Sequence, residues 1–153
     1  MNLLPILLLL ALLAACTPSE PFDAELAARA DETEEETEDT LEPKLESIQK
    51  HVFDPHCIAC HAGSTAEQGM RLDSAGNSYY ALVNVRSNQN LLQDRVEPGD
   101  ADNSYLIDKL EGTQLSGEQM PKDSNPLDAE TIAVIRQWID DGAPPPNPDD
   151  DEE

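Results

Sequence analysis

Basic residues are scarce: nine Lys and Arg stand against 32 Asp and Glu, giving a formal net charge of −23. That balance excludes unassisted nucleic-acid binding, which needs cations for the phosphates, and favours partners with basic surfaces. Aromatic residues make up only 4% of the chain, and the 39% that is hydrophobic falls partly in the first fifteen positions. The remaining core is small for a chain with room for one domain of about 100–150 residues. The apolar opening is shorter than the roughly 20 residues of a comfortable membrane-spanning helix. Three cysteines, Cys16, Cys57 and Cys60, leave no disulfide framework once each has its own explanation. No internal repeat is found.

What the chain does contain is Cys57-Ile58-Ala59-Cys60-His61, the spacing of a c-type haem attachment site. Each cysteine sulfur can add to one porphyrin vinyl group from a single turn of backbone. The next residue is then placed under the iron, where an imidazole can ligate it. A large apolar cofactor would also supply part of the core that the side chains do not. Taken alone, the pentapeptide equally suits a redox dithiol or half a zinc site.

Four regions follow from the rest of the chain. Met1 to Ala15 is Leu- and Ala-rich and reads as an export signal. Its ending, Leu13-Ala14-Ala15-Cys16, resembles the lipobox of bacterial lipoproteins, which predicts cleavage before Cys16 and lipid on its sulfur; the leader has no Lys or Arg near its start. Residues 16–42 form a linker with eleven acidic residues between Glu20 and Glu42 against the single Arg29. Such a run is expected to stay disordered and to span about 26–31 Å as a flexible coil. Residues 43–143 are periodic and predict an all-α domain of about four helices. Residues 144–153 are Pro- and acid-rich and are expected to be a disordered tail.

Within the periodic region, Pro43 opens a helix with Leu45, Ile48 and Val52 on one face, and Asp54-Pro55 ends it. Ser78 is the expected cap of a short helix, Tyr79 to Val83. Asp102, Asn103 and Ser104 are cap candidates for a helix through about Leu110. Asp128 caps the last helix, whose stripe is Ile132, Ile135, Trp138 and Ile139, with Gly142 and Pro144 as its stop.

This order of elements resembles the class I cytochrome c family over about residues 44–143. Phe53 stands four residues before Cys57, where the family carries an aromatic. Ile135 and Trp138 match the pair by which its last helix crosses the first, and Met120-Pro121 lies where it places a second axial ligand. The chain departs from the pattern twice. Gln49 replaces a small residue, and no proline lies between His61 and Pro98 to offer its carbonyl to the ligand histidine's Nδ1. The partner that fixes the imidazole is therefore left open by the sequence, with a backbone carbonyl of loop 63–72 as one candidate.

The resemblance implies one covalent haem c, with Cys57 and Cys60 as thioethers, His61 as proximal iron ligand and Met120 as distal ligand. Met70 is only nine residues beyond His61 and reads as an apolar plug beside Leu72; His51 and His56 read as surface or propionate-side groups. Arg71, Arg86, Arg95 and Lys122 are candidate propionate partners. The expected function is single-electron transfer, not catalysis, between redox partners with basic docking surfaces. The expected location is a bacterial cell envelope, lipid-anchored through Cys16 and facing the periplasm or exterior. Two alternatives stay open: a haem-based ligand-binding or sensor domain with a displaceable sixth ligand, and a haem-free surface lipoprotein with a Cys57–Cys60 disulfide or metal clip.

Overall fold

The structure, a computed structural model, describes residues 39–147. Four helices and no strands occur among the described residues. The first, α1, runs through three contiguous segments: α-helical Leu45–Ile48, π-helical Gln49–Phe53 and α-helical Asp54–His56. It is followed by α2 (Ala75–Leu82), α3 (Tyr105–Glu111) and α4 (Ala129–Asp140). Short 3-10 turns at Gly63–Thr65, Glu67–Gly69 and Ala101–Asn103 punctuate the loops. Isolated bridges between Val83 and Val96, and between Asp94 and both Arg86 and Ser104, gather the long connection from α2 to α3. The all-α expectation holds.

Helix α4 forms where its stripe predicts. Ile135, Trp138 and Ile139 are fully buried and Ile132 nearly so, while the Asp128 carboxylate accepts the Thr131 N–H at 2.7 Å. Its end is a Schellman motif: Ala143 N–H donates to the Trp138 carbonyl and Gly142 N–H to that of Ile139, both at 2.9 Å. Gly142 adopts φ +97°, open to glycine without cost. Ala143 closes the turn under the indole, whose Nε1–H donates to Pro144 O at 3.1 Å. The segment expected to be loose from Pro144 onward thus begins with a fastened carbonyl. Residues 148–153, the export signal, Cys16 and most of the linker lie outside the described residues. The linker's last residues are engaged with α1, Asp39 pairing with Lys50 at 2.7 Å and with His51 at 3.1 Å.

Three local expectations are corrected. Helix α1 does not stop at Asp54-Pro55 but passes through it to His56. A prolyl ring clashes with the carbonyl four residues back in an α-helix; the wider π turn just upstream opens that register. Helix α2 begins four residues before the expected Tyr79, capped by Ser74, whose hydroxyl accepts the Asn77 N–H at 3.2 Å. Ser78 is instead buried inside the helix. None of the cap candidates for α3 caps it through its side chain: Ser104 occupies the cap position, but its hydroxyl donates to Asp100 O and accepts the Glu97 N–H.

One hydrophobic core unites all four helices, from Leu45, Ile48, Val52 and Phe53 of α1 to Ile135 and Trp138 of α4. Leu45–Ile48 packs against α2, and Gln49, only 6% exposed, joins the two helices at that point. Its Nε2 donates to Leu72 O at 2.8 Å and to Asp54 Oδ1 at 2.6 Å, and its Oε1 accepts from Ser78 Oγ at 2.6 Å. The side chains at 49 and 54 meet because five residues span one π turn. The residue that departs from the family pattern is therefore a satisfied polar buckle between α1, α2 and the loop before α2.

Candidate functional site

The end of α1 delivers the Cys57–His61 segment as a tight turn. Cys57 and Ile58 N–H both donate to Phe53 O, and Cys60 and His61 N–H both return to Cys57 O, at 3.2 and 3.0 Å. The following loop is closed at its base by Leu72 N–H to His61 O at 2.7 Å, and Gln49 holds the other side of Leu72. Asp73 accepts the Gly63 N–H at 2.9 Å and pairs with Arg71 at 3.1 Å. That backbone bond, with Arg71 second, holds the Asp73 carboxyl at about 2. His61 is thereby fixed at both its backbone groups and is 94% buried, at 6% exposure.

The Nδ1 atom of His61 is buried without a hydrogen-bond partner among the described residues. The candidate acceptor, a carbonyl of loop 63–72, does not meet it: the loop uses His61's carbonyl, not its ring, as its clasp. Cys57 is half-buried, Cys60 exposed, and both are free thiols. Burial, with smaller contributions from Asp54 and Cys60, pushes the Cys57 thiol up to about 12. A redox dithiol needs the opposite, a thiolate stabilised near neutral pH. No group of three or more His, Cys, Asp or Glu able to hold a metal ion occurs among the described residues.

Two adjoining cavities of about 620 and 860 Å³, including space open to solvent, lie above this turn. They share His61, Glu67, Met70, Leu106 and Met120 in their walls. The larger adds Cys57 and Cys60 with apolar Phe53, Leu72 and Leu110. The smaller adds Leu82, Tyr105, Arg95 and Lys109 with the polar residues 87–89. The fold thus brings Cys57, Cys60, His61 and Met120 to one place. Met70 also lines both cavities and packs against the core that includes Leu72, so cavity lining does not separate the two methionines.

Met120 is held through a residue the sequence reading passed over. Its N–H donates to Lys109 O at 2.8 Å. Lys109 lies on the buried side of α3, where its Nζ donates to Ser116 O at 2.9 Å and Glu118 O at 3.0 Å and sits 5.6 Å from the Tyr105 ring centre. The Tyr105 hydroxyl donates to the same Ser116 carbonyl at 2.8 Å, and Gln119 Nε2 to Leu110 O at 2.8 Å. These bonds clip the 112–119 loop onto α3. Gly117 serves the clip directly: its φ is +76°, and a Cβ there would come within 2.7 Å of Lys109 Nζ. The signal in the sequence was a lysine four residues after Tyr105 on an otherwise apolar face.

Of the four candidate propionate partners, Arg71, Arg86 and Lys122 are ion-paired to Asp73, Asp94 and Glu118. His56 and Tyr80 are exposed at the surface.

A helical domain with a C-x-x-C-H turn below a cavity lined by histidine and methionine has the design of a c-type cytochrome. Comparison with protein families agrees: residues 57–124 match the family model described as Planctomycete cytochrome C. The matched segment begins at Cys57 and runs past Met120. This is similarity to a c-type cytochrome-like family, and it indicates an electron-transfer haem protein. No curated protein and no solved structure matches the chain.

Proposed function

We propose that this chain is a membrane-anchored monohaem c-type cytochrome that carries single electrons between redox partners outside the cytoplasm. One observation carries the reading: His61 and Met120 line the same two adjoining cavities, and the larger also has Cys57 and Cys60 in its wall. The residues fit a covalent haem on chemical grounds. The wall that carries Cys57 and Cys60 includes apolar Phe53, Leu72 and Leu110, and the buried His61 Nδ1 has no hydrogen-bond partner among the described residues.

In this reading Cys57 and Cys60 would hold the haem through thioethers, and His61 and Met120 would ligate its iron. When bound, the haem supplies a reversible one-electron change at its iron. With both side chains committed to the iron, the haem would serve electron carriage. Residues 44–143 hold sixteen acidic and eight basic side chains, which suits brief docking to basic partners that weakens with salt. Lipid on Cys16 would hold the domain at the cell envelope, facing the periplasm or exterior, with the acidic linker as tether.

The test is expression with a cytochrome c maturation system, followed by haem staining, intact mass and optical spectra. One haem joined through two thioethers is expected. Met120→Ala should change the oxidised spectrum and admit carbon monoxide to the reduced protein, while Met70→Ala should do neither. A chain that attaches no haem refutes the proposal. Rapid, complete carbon monoxide binding by the unaltered protein would make it a ligand-binding domain instead. Release of Cys16→Ser from membranes checks the anchor.

A further inference from the structure

We infer that Arg95 and Lys109 form the carboxylate-binding end of the cofactor site, so that the porphyrin's propionates lie against them and its vinyl edge faces Cys57 and Cys60. The inference rests on the proposed haem and adds its orientation and its anionic contacts.

The argument starts from how this acidic chain uses its few cations. Residues 44–143 contain eight Lys and Arg. Six of them are ion-paired to carboxylates, at 2.7–3.1 Å. Arg95 and Lys109 form no such ion pair among the described residues. Arg95 donates to Ala81 O at 2.7 Å and Gln68 O at 2.9 Å, and Lys109 to the two loop carbonyls described above. Both line the smaller cavity and neither lines the larger. Their polar atoms are met by backbone carbonyls rather than by a paired carboxylate, which leaves each able to take an anion from the cavity.

Donor capacity remains for that anion. A guanidinium has five N–H groups and an ammonium three; each residue directs two of its bonds to backbone carbonyls. A carboxylate reaching this wall would meet charge-assisted donors beside the polar residues 87–89. The cavity that holds the two cysteines has Val52, Phe53, Leu72 and Leu110 in its wall, and the one Lys or Arg there, Lys122, is already paired with Glu118. The two cations without a carboxylate ion pair therefore lie on the wall of the cavity that lacks the cysteines. A porphyrin likewise carries its vinyl groups on one edge and its two carboxylates on another. The other ionisable groups on the cationic wall are His61, Glu67 and Tyr105, and Glu118 stands near Lys109.

The experiment follows propionate protonation by resonance Raman over pH, together with the reduction potential, in the haem-loaded protein. In the unaltered protein the propionates should stay ionised below the ordinary carboxylate range. Arg95→Met should raise the propionate pKa by about 1–3 units, the shift an adjacent Arg imposes on a carboxylate. It should also lower the potential and make it more dependent on pH. Arg95→Lys should restore most of both, and Arg71→Met, which removes a paired cation, should change neither. Propionates that titrate at an ordinary carboxylate pKa in the unaltered protein would overturn the inference without any variant. So would equal effects of Arg95→Met and Arg71→Met. Failure of the haem reading is seen separately, as an absence of haem on the stained gel.

Discussion

Replacing Gln49 by Met keeps the length of the side chain and removes only its amide, which isolates the polar buckle. Two buried groups lose their partner: the Leu72 carbonyl and the hydroxyl of Ser78, which is fully buried. A buried polar group left unsatisfied costs about 1–3 kcal/mol. The third bond, to exposed Asp54, is replaced by water at small cost. The expected loss is therefore about 2–4 kcal/mol, which for a domain of this size corresponds to a Tm lower by roughly 10–30 °C. Thermal unfolding of the haem-loaded protein by circular dichroism measures it directly. The Gln49→Met/Ser78→Ala pair should lose less than the sum of the singles, because the Ser78 bond can be broken only once. The Leu72 amide, which donates to His61 O, should exchange faster with deuterium in Gln49→Met. A fall in Tm of less than about 4 °C would show that the buckle is not what joins α1 to the loop and to α2.

The other predictions concern charge and the distal loop. The Asp73 carboxyl is held at about 2, below its ordinary value, by the Gly63 N–H and Arg71. Its stabilisation is thus fully present above about pH 4 and is lost as pH falls toward 2; an Asp73→Asn variant should unfold with a flatter acid limb in that window. Arg136 bridges Asp102 at 2.7 Å and Glu111 at 2.9 Å with a partly exposed side chain, so Arg136→Gln should cost up to about 1 kcal/mol in urea unfolding, with less lost in high salt. Lys109→Met removes two charge-assisted bonds from the 112–119 loop. It should give an oxidised spectrum like that of Met120→Ala in part of the population, whereas a spectrum identical to the parent's would mean the loop holds Met120 unaided.

Much of the fold was legible because its signals are local. The α4 stripe, the Asp128 cap and the Gly142 stop each lie within a few residues of the structure they produce. The start of α2 was missed because Ser74 and Ser78 are both plausible caps, and the choice depends on a partner 29 residues away, Gln49. The passage of α1 through Pro55 was missed for a related reason. A π turn has no hydrophobic period of its own, so apolar spacing does not reveal that the register widens before the proline.

The site divides along the same line, and the division explains which of its parts could be read early. Cys57, Cys60 and His61 are neighbours in sequence, so covalent geometry alone fixes their arrangement. Met120 is joined to them only by the fold, and what joins it is a lysine whose composition-level reading is a surface cation. In a chain with 32 acidic residues, a lysine buried on α3 against backbone carbonyls, with no carboxylate ion pair, is anomalous. The anomaly is informative because desolvating an ammonium is costly unless its new partners compensate. Lys109 meets that cost with two loop carbonyls and the Tyr105 ring, and Arg95 with the carbonyls of Ala81 in α2 and of Gln68. Both face the cavity that His61 and Met120 share. The two cations that were hardest to read from the sequence are therefore the ones that extend the site beyond its four obvious residues.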